Sequence, residues 1–333
     1  MRGFSIPVTF LFSALLTVSS VESVYAKNDK VHYQVQVLRT SYGIPHVQAE
    51  DWGSLGYGYG YVFAQDNICV LAREVLVATG TQARFFGAGT GSGYLISDWV
   101  YAMVNSDARV SLAWATLDSE THDLLQGYAD GYNRYLRDKG VAALPADCRD
   151  AAWVRPIDQL DVFKVLRKLM VRASTGNFAA SLVGATPPPN PLAWASGDAA
   201  KSTSVAKVAS TEEATRLVVA AVLPDFTPER FGSNAVALGS ELTGGSGALL
   251  GNPHFPWFGI ERFYGVHLTI PGRYDVMGAS IYGFPLINIG FNRDLAWSHT
   301  VSTGRRFVVR ELTVAPGNPT AYVYDGKVVS MIP

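Results

Sequence analysis

Gly232 and Ser233, in the stretch PERFGSNAVALGSEL (228–242), stand directly ahead of a run that alternates in the manner of a short β-strand. A serine hydroxyl is a poor nucleophile without an adjacent base, and one known source of that base is the residue's own α-amine. With an ordinary pKa of roughly 7.7 to 8.0 against about 10.4 for lysine, a free α-amine holds on the order of 300-fold more unprotonated base near neutral pH. Ser233 lacks this amine while it is bonded to Gly232. It would gain one if its hydroxyl attacked the Gly232 carbonyl and the resulting ester were hydrolysed. A glycine at the attacked position would relieve the steric cost of the dihedrals such an attack requires. Taken alone, Gly-Ser before a strand is also the signature of a plain turn.

The other chemistry-bearing residue types form no motif of their own. Histidines stand at 32, 46, 122, 254, 267 and 299, with no H-E-x-x-H pair and no cysteine–histidine cluster of zinc spacing, so neither a metal nor a cofactor is expected. GYGYG (56–60) and GAGTGSG (87–93) do not fit G-x-G-x-x-G and read as hinges or turns. GGSGA around Ser246 superficially resembles a nucleophile elbow, but an elbow joins a strand to a helix and here strand follows strand. Cys69 and Cys148 allow one intramolecular bridge or two buried free thiols.

The elements that must position Ser233 fall into two blocks. VHYQVQVLRTSYGIPHVQA (31–49) alternates like a strand pair turning near Gly43. Helical spacing follows: Ile68, Leu71, Val75 and Leu76 with a stop at Gly80; then Leu124, Leu125, Tyr128, Tyr132, Tyr135 and Leu136 ending at Gly140. A further helix after Pro156 should bury Val162, Phe163, Leu166, Leu169 and Met170. Residues 184–217 are rich in Pro, Ala, Ser and Thr with little periodicity, as a linker or removable segment would be. From Asn234 onward short alternating runs follow one another between Gly, Pro and Asn turns, with GGSG as a hairpin. No fixed-period repeat is present, which argues against a propeller or solenoid.

Bulk properties narrow the setting. A chain of 333 residues that is 48% hydrophobic and 17% charged can bury a substantial core. Its 27 basic and 28 acidic residues leave no net field and no basic run, so nucleic acid is not an expected partner. Residues 1–26 combine Arg2, the apolar run IPVTFLFSALLTV and small residues at VYA, the pattern of a signal peptide cut after Ala26. The apolar run is interrupted by Pro7, Thr9 and Ser13 and falls short of the roughly 20 residues needed to span a bilayer. A periplasmic or secreted location without a membrane anchor in the mature form is expected, and an oxidising compartment there permits the Cys69–Cys148 bridge.

Longer motifs carry a resemblance. RTSYGIPHVQAEDWGSLGYGYGYVFAQDN, GSNAVALG, LLGNPHFPW and RFYGVHLTIPGRYDVMGASIYGFPLINIGFNRDLAWSHTVST, in that order, closely resemble the penicillin acylase family of N-terminal nucleophile hydrolases, in particular its acyl-homoserine-lactone and aculeacin-type branch. The resemblance implies an α+β fold, an αββα sandwich of stacked antiparallel sheets between helical layers. It implies self-cleavage into an α chain (27–205) and a β chain from Ser233, with a spacer (206–232) removed and the two chains held as a heterodimer. Carried over by motif, Ser233 is the nucleophile and its freed amine the base. His254 is the histidine beside it that assists processing, and the backbone N–H of Val301 is an oxyanion donor. Phe255 and Trp257 are either walls of an acyl pocket or ordinary core aromatics. The expected reaction is hydrolysis of an acylated amine, whether an acyl-homoserine lactone, a lipopeptide or a β-lactam, through an acyl-enzyme on Ser233.

The resemblance also implies a longer β chain that includes an asparagine as second oxyanion donor, whose loss typically lowers turnover about 10²- to 10³-fold. A truncated or split frame, incomplete at the C-terminus, is therefore the expectation. The rival reading is an acylase-like binding protein that neither processes itself nor turns over.

Overall fold

Strand-forming residues near both ends of the chain are drawn into one sheet, which is how the molecule brings its two halves together. The computed structural model describes residues 22–23, 26–28, 31–172, 174, 232–300, 308 and 310–331. The expected signal peptide, apart from a few backbone positions, and the expected spacer ahead of Gly232 lie outside the described residues.

In chain order the strands and helices are β1 (Glu22–Ser23), β2 (Ala26–Asn28), β3 (Val31–Tyr33), β4 (Val35–Arg39), β5 (Pro45–Ala49), α1 (Trp52–Ala78), α2 (Ala83–Phe86), α3 (Gly93–Val104), α4 (Asp107–Trp114), α5 (Ser119–Lys139) and α6 (Gln159–Arg172). After residue 231 come β6 (Gly232–Leu238), β7 (Ala248–His254), β8 (Phe263–Ile270), β9 (Tyr274–Ile281), β10 (Ile289–Phe291), β11 (Ala296–Trp297), β12 (Thr313–Ala315), β13 (Asn318–Tyr324) and β14 (Lys327–Ser330). A seven-stranded sheet runs β1-β4-β5-β8-β9-β10-β11. The expected separation into a helical block and an all-β block is thus only a sequence pattern, because β4 and β5 share this sheet with β8 to β11. The seam is β5–β8, a parallel pair that aligns His46 with His267, Val47 with Leu268 and Gln48 with Thr269. The mixed α+β character is clear from these elements.

Helix α1 covers the inner face of the sheet, where Val47, Val266 and Leu268 are buried. Asp51 starts it, accepting a hydrogen bond from the Ser54 amide at 2.7 Å and one from its hydroxyl at 2.9 Å. GYGYG, expected to be a hinge or turn, lies inside α1. The reason is how closely α1 approaches its neighbours. A β-carbon at Gly56 would stand 2.2 Å from the Leu124 carbonyl oxygen of α5, and one at Gly60 2.1 Å from that of Tyr128. On α5, Gly127 and Gly131 meet the Gly53 and Tyr57 carbonyls in the same way, each at 2.0 Å. Gly58 faces the sheet, 2.5 Å from Val35 Cγ2 by the same construction. Between these glycines Tyr57 stacks on Tyr33, with ring centroids 4.7 Å apart, and Tyr59 meets Tyr128 edge-on. GAGTGSG does form turns, with Gly87, Gly89 and Gly91 all at positive φ.

Helix α6 departs from its expected face. Val162, Phe163 and Val165 are buried, but Leu166 and Leu169 are only half-buried and Met170 is 55% exposed. The stripe is rotated because Asp161, Lys168 and Arg172 go down with ionic partners: Arg155, Glu74 and Glu261 respectively. A paired charge can occupy a buried position that an unpaired one cannot. Cys69 of α1 and Cys148, 79 positions on, are joined in a disulfide with Cα atoms 5.4 Å apart. Closing a loop of that size is worth about 4 kcal/mol in the chain-entropy view.

The sheet's other face carries a hydrogen-bonded chain of side chains across the seam. Asp275 accepts from His267 Nε2 at 2.7 Å, and His267 Nδ1 lies 2.8 Å from His46 Nδ1. With its proton on Nε2, His267 accepts at Nδ1, so His46 donates there and keeps a bare Nε2. Thr269 completes the surroundings, its hydroxyl donating to Asp275 at 3.2 Å. Burial first, then the neighbouring His267, holds the His46 imidazole below its ordinary value. The neutral form is therefore favoured in the fold: no stability is lost above the unfolded pKa of about 6.5, and stability falls as pH drops through it. Denaturant titrations at pH 7.5 and 5.5 should show this loss in the parent protein and a smaller one in His46→Gln; an identical pH dependence in both would contradict the assignment.

Candidate active site

Ser233 sits at the base of a two-stranded hairpin rather than in the large sheet. β6 and β7 pair antiparallel along their full length, aligning Gly232 with His254, Ser233 with Pro253 and Asn234 with Asn252. The alternation in GSNAVAL and ALLGNPH makes the strands. A single helical turn, Ser240–Thr243, and Gly244 in the left-handed region reverse the chain between them.

This register folds the Ser233 side chain against its own upstream peptide bond. The hydroxyl donates to the carbonyl oxygen of Gly232 in a short contact and accepts from the His254 backbone N–H at 3.3 Å. A donor aimed at the oxygen favours negative charge there, which is what a nucleophilic hydroxyl must develop. The His254 ring lies over Gly232: a β-carbon at 232 would be 3.3 Å from Nδ1. Gly232 does not adopt a positive φ. In this conformation the missing side chain leaves room beside the imidazole. Asn252, two residues before His254 on the same strand face, places its side-chain nitrogen 3.0 Å from His254 Nε2.

Gly232, Ser233 and His254 are thus brought together. Val301 lies outside the described residues. Phe255 is half-buried and packs on Phe263 with ring centroids 5.1 Å apart, whereas Trp257 is 85% exposed. Cys69 and Cys148 belong to the helical layer. Sequence reasoning missed Asn252, although its i, i+2 relation to His254 on an alternating strand was available to find it. It also missed the close approach of β11 to β7, where Ser298 Oγ would meet a β-carbon at Gly251 at 3.1 Å. Among the described residues there is no cluster of three or more His, Cys, Asp or Glu fit to hold a metal ion, and no helix long and apolar enough to cross a membrane.

Comparison with known proteins gives the class: the penicillin amidase family matches residues 34–332, and the chain belongs to it. It is 41% identical over 333 aligned positions to an acyl-homoserine lactone acylase of Pseudomonas putida, covering 98% of this chain and 41% of that protein. It is 44% identical over 307 positions to the aculeacin-A acylase of Actinoplanes utahensis, covering 89% of this chain and 37% of that protein. Among solved structures, a thermostable penicillin G acylase from Alcaligenes faecalis shares 26% identity with a TM-score of 0.39, covering 56% of this chain and 89% of that one. The chain spans about two-fifths of the length of the curated relatives it matches.

Proposed function

We propose that the protein is an exported amide hydrolase that activates itself by cutting the Gly232–Ser233 bond and then deacylates an acylated amine. The observation that carries the reading is the clasp at this bond, with the Ser233 hydroxyl on the Gly232 carbonyl and the His254 N–H on the hydroxyl. In the first step Oγ bonds to the Gly232 carbonyl carbon, the C–N bond breaks, and the hydroxyl proton ends on the Ser233 nitrogen. Water then splits the ester, leaving a carboxylate at Gly232 and a free α-amine at Ser233. Holding the hydroxyl against the group it attacks supplies the proximity that such a step needs.

In turnover the freed amine takes the Oγ proton as Oγ attacks the substrate carbonyl, and returns it to the departing amine of the substrate. The acyl group remains as an ester until water removes it. Val301 N–H serves as an oxyanion donor, and Phe255 with Trp257 borders the acyl group. An α chain (27–205) and a β chain beginning at Ser233, separated by a lost spacer (206–232), then form a heterodimer in an αββα sandwich, in the periplasm or outside the cell. The acyl-homoserine lactone and aculeacin-A acylases among its relatives support a substrate with an acyl chain on an amide nitrogen, a lactone amine, lipopeptide or β-lactam nucleus being the candidates. N-terminal sequencing of the mature protein tests the reading. A fragment beginning SNAVALG is expected, and an intact bond between 232 and 233 in the mature full-length protein would overturn it.

A further inference from the structure

We propose that Asn252 is a positioning residue of this site: its side-chain amide holds the His254 imidazole so that Nδ1–H faces the Gly232–Ser233 peptide. The inference rests on the self-cleavage reading above and adds a residue to it. Asn252 and His254 are two apart on β7, so their side chains leave the strand on one face. Asn252 Nδ2 lies 3.0 Å from His254 Nε2. An amide nitrogen only donates, so Nε2 must accept, and a neutral imidazole that accepts at Nε2 carries its single proton on Nδ1. Nδ1 is the ring atom next to Gly232, 3.3 Å from the place a β-carbon would fill. One side of the ring is therefore tied to Asn252 and the other is aimed into the gap left by the missing Gly232 side chain.

That orientation has a use in cleavage. As Oγ bonds to the Gly232 carbon and the C–N bond opens, a proton must leave Oγ and one must reach the Ser233 nitrogen. An Nδ1–H at Gly232 donates to the oxygen that becomes negative as Oγ bonds to the Gly232 carbon and so stabilises the tetrahedral adduct, while the Oγ proton passes to the Ser233 nitrogen as the C–N bond opens. The ring works in its neutral form, because a proton on Nε2 would face the Asn252 amide hydrogens. Asn252 touches no reacting atom and acts only through His254.

The test is the rate at which newly made full-length precursor yields the fragment beginning at Ser233, followed by mass spectrometry between pH 5 and 9. A preorganised donor to the adduct is typically worth about 10²- to 10³-fold, so losing its alignment in Asn252→Ala should slow cutting roughly 10- to 100-fold. Asn252→Asp places a carboxylate beside the ring, which favours the protonated imidazole, so the acid limb of the rate profile should move to higher pH by about one unit. Asn252 is exposed, and matching thermal melts will show that both variants fold. A merely structural role would not move the pH profile. If His254→Ala slows cutting while Asn252→Ala and Asn252→Asp keep the parent rate and profile, this inference fails and the cleavage reading stands. If cutting persists in Ser233→Ala, the cleavage reading itself fails and takes the inference with it.

Discussion

Ser233→Ala is expected to leave the full-length protein as one uncut polypeptide and to lower amide hydrolysis by at least about 10⁴-fold, the scale on which removal of a nucleophile acts in enzymes that work through an acyl ester. The two losses have different origins and can be separated. On the proposed scheme cutting draws on the hydroxyl, with His254 beside it, but not on a free α-amine, and the peptide to be attacked is already in contact with the hydroxyl. On the same scheme hydrolysis requires the hydroxyl and also the amine that cutting releases. If the β chain is produced separately, starting at residue 233, and combined with the α chain, the serine form should hydrolyse amide without any cutting step. The alanine form should not. A third form that keeps one extra residue ahead of Ser233 retains the hydroxyl but turns its amine into an amide, which is no base near neutral pH. It should be nearly as inactive as the alanine form. Full hydrolysis by this extended chain would mean that another group takes the Oγ proton, and the role of the terminus would have to be abandoned.

Where the pattern is local, the residues announce the structure. Helix α5 shows its buried stripe from Leu124 to Leu136 and its stop at Gly140, which takes positive φ as the helix ends. The hairpin holding Ser233 is visible as two alternating runs around GGSG. What escaped depends on partners distant in sequence. A glycine costs a helix about 1 kcal/mol relative to alanine, so Gly56, Gly58 and Gly60 read locally as a break. Their compensation comes from α5 and the sheet, which no window around residue 58 contains. Lys168 and Arg172 are absent from the face expected to be buried because their partners Glu74 and Glu261 lie on other segments. In the site, Ser233 and His254 are legible through their motifs, while the pairing of Gly232 with His254 exists only once β6 and β7 are in register. The family was therefore easier to read than the geometry of its candidate site.

The second large effect concerns those helical glycines. In Gly60→Ala the new methyl would lie 2.1 Å from the Tyr128 carbonyl oxygen, and in Gly131→Ala 2.0 Å from that of Tyr57. Both obstacles are backbone atoms in the middle of helices, so neither can swing aside as a side chain would. The helices must separate by about an ångström, loosening Tyr59 and Tyr128, which are fully buried at this contact. Overpacking of this kind costs about 1 to 3 kcal/mol and sometimes more, against a gain of up to about 1 kcal/mol in helix propensity. Each variant should lose roughly 1 to 2 kcal/mol net, a fall in Tm of about 1 to 3 °C for a chain of 333 residues in calorimetry or fluorescence melts. Gly245→Ala is the control: no atom lies within 4 Å of its β-carbon position and its φ is ordinary, so it should be neutral or slightly stabilising. The double variant Gly60→Ala/Gly131→Ala should cost less than the sum, because helices already pushed apart by the first methyl have made room for the second. Strict additivity would mean that the two glycines relieve separate contacts. Loss no greater than that of Gly245→Ala would mean that α1 and α5 do not pack backbone to backbone.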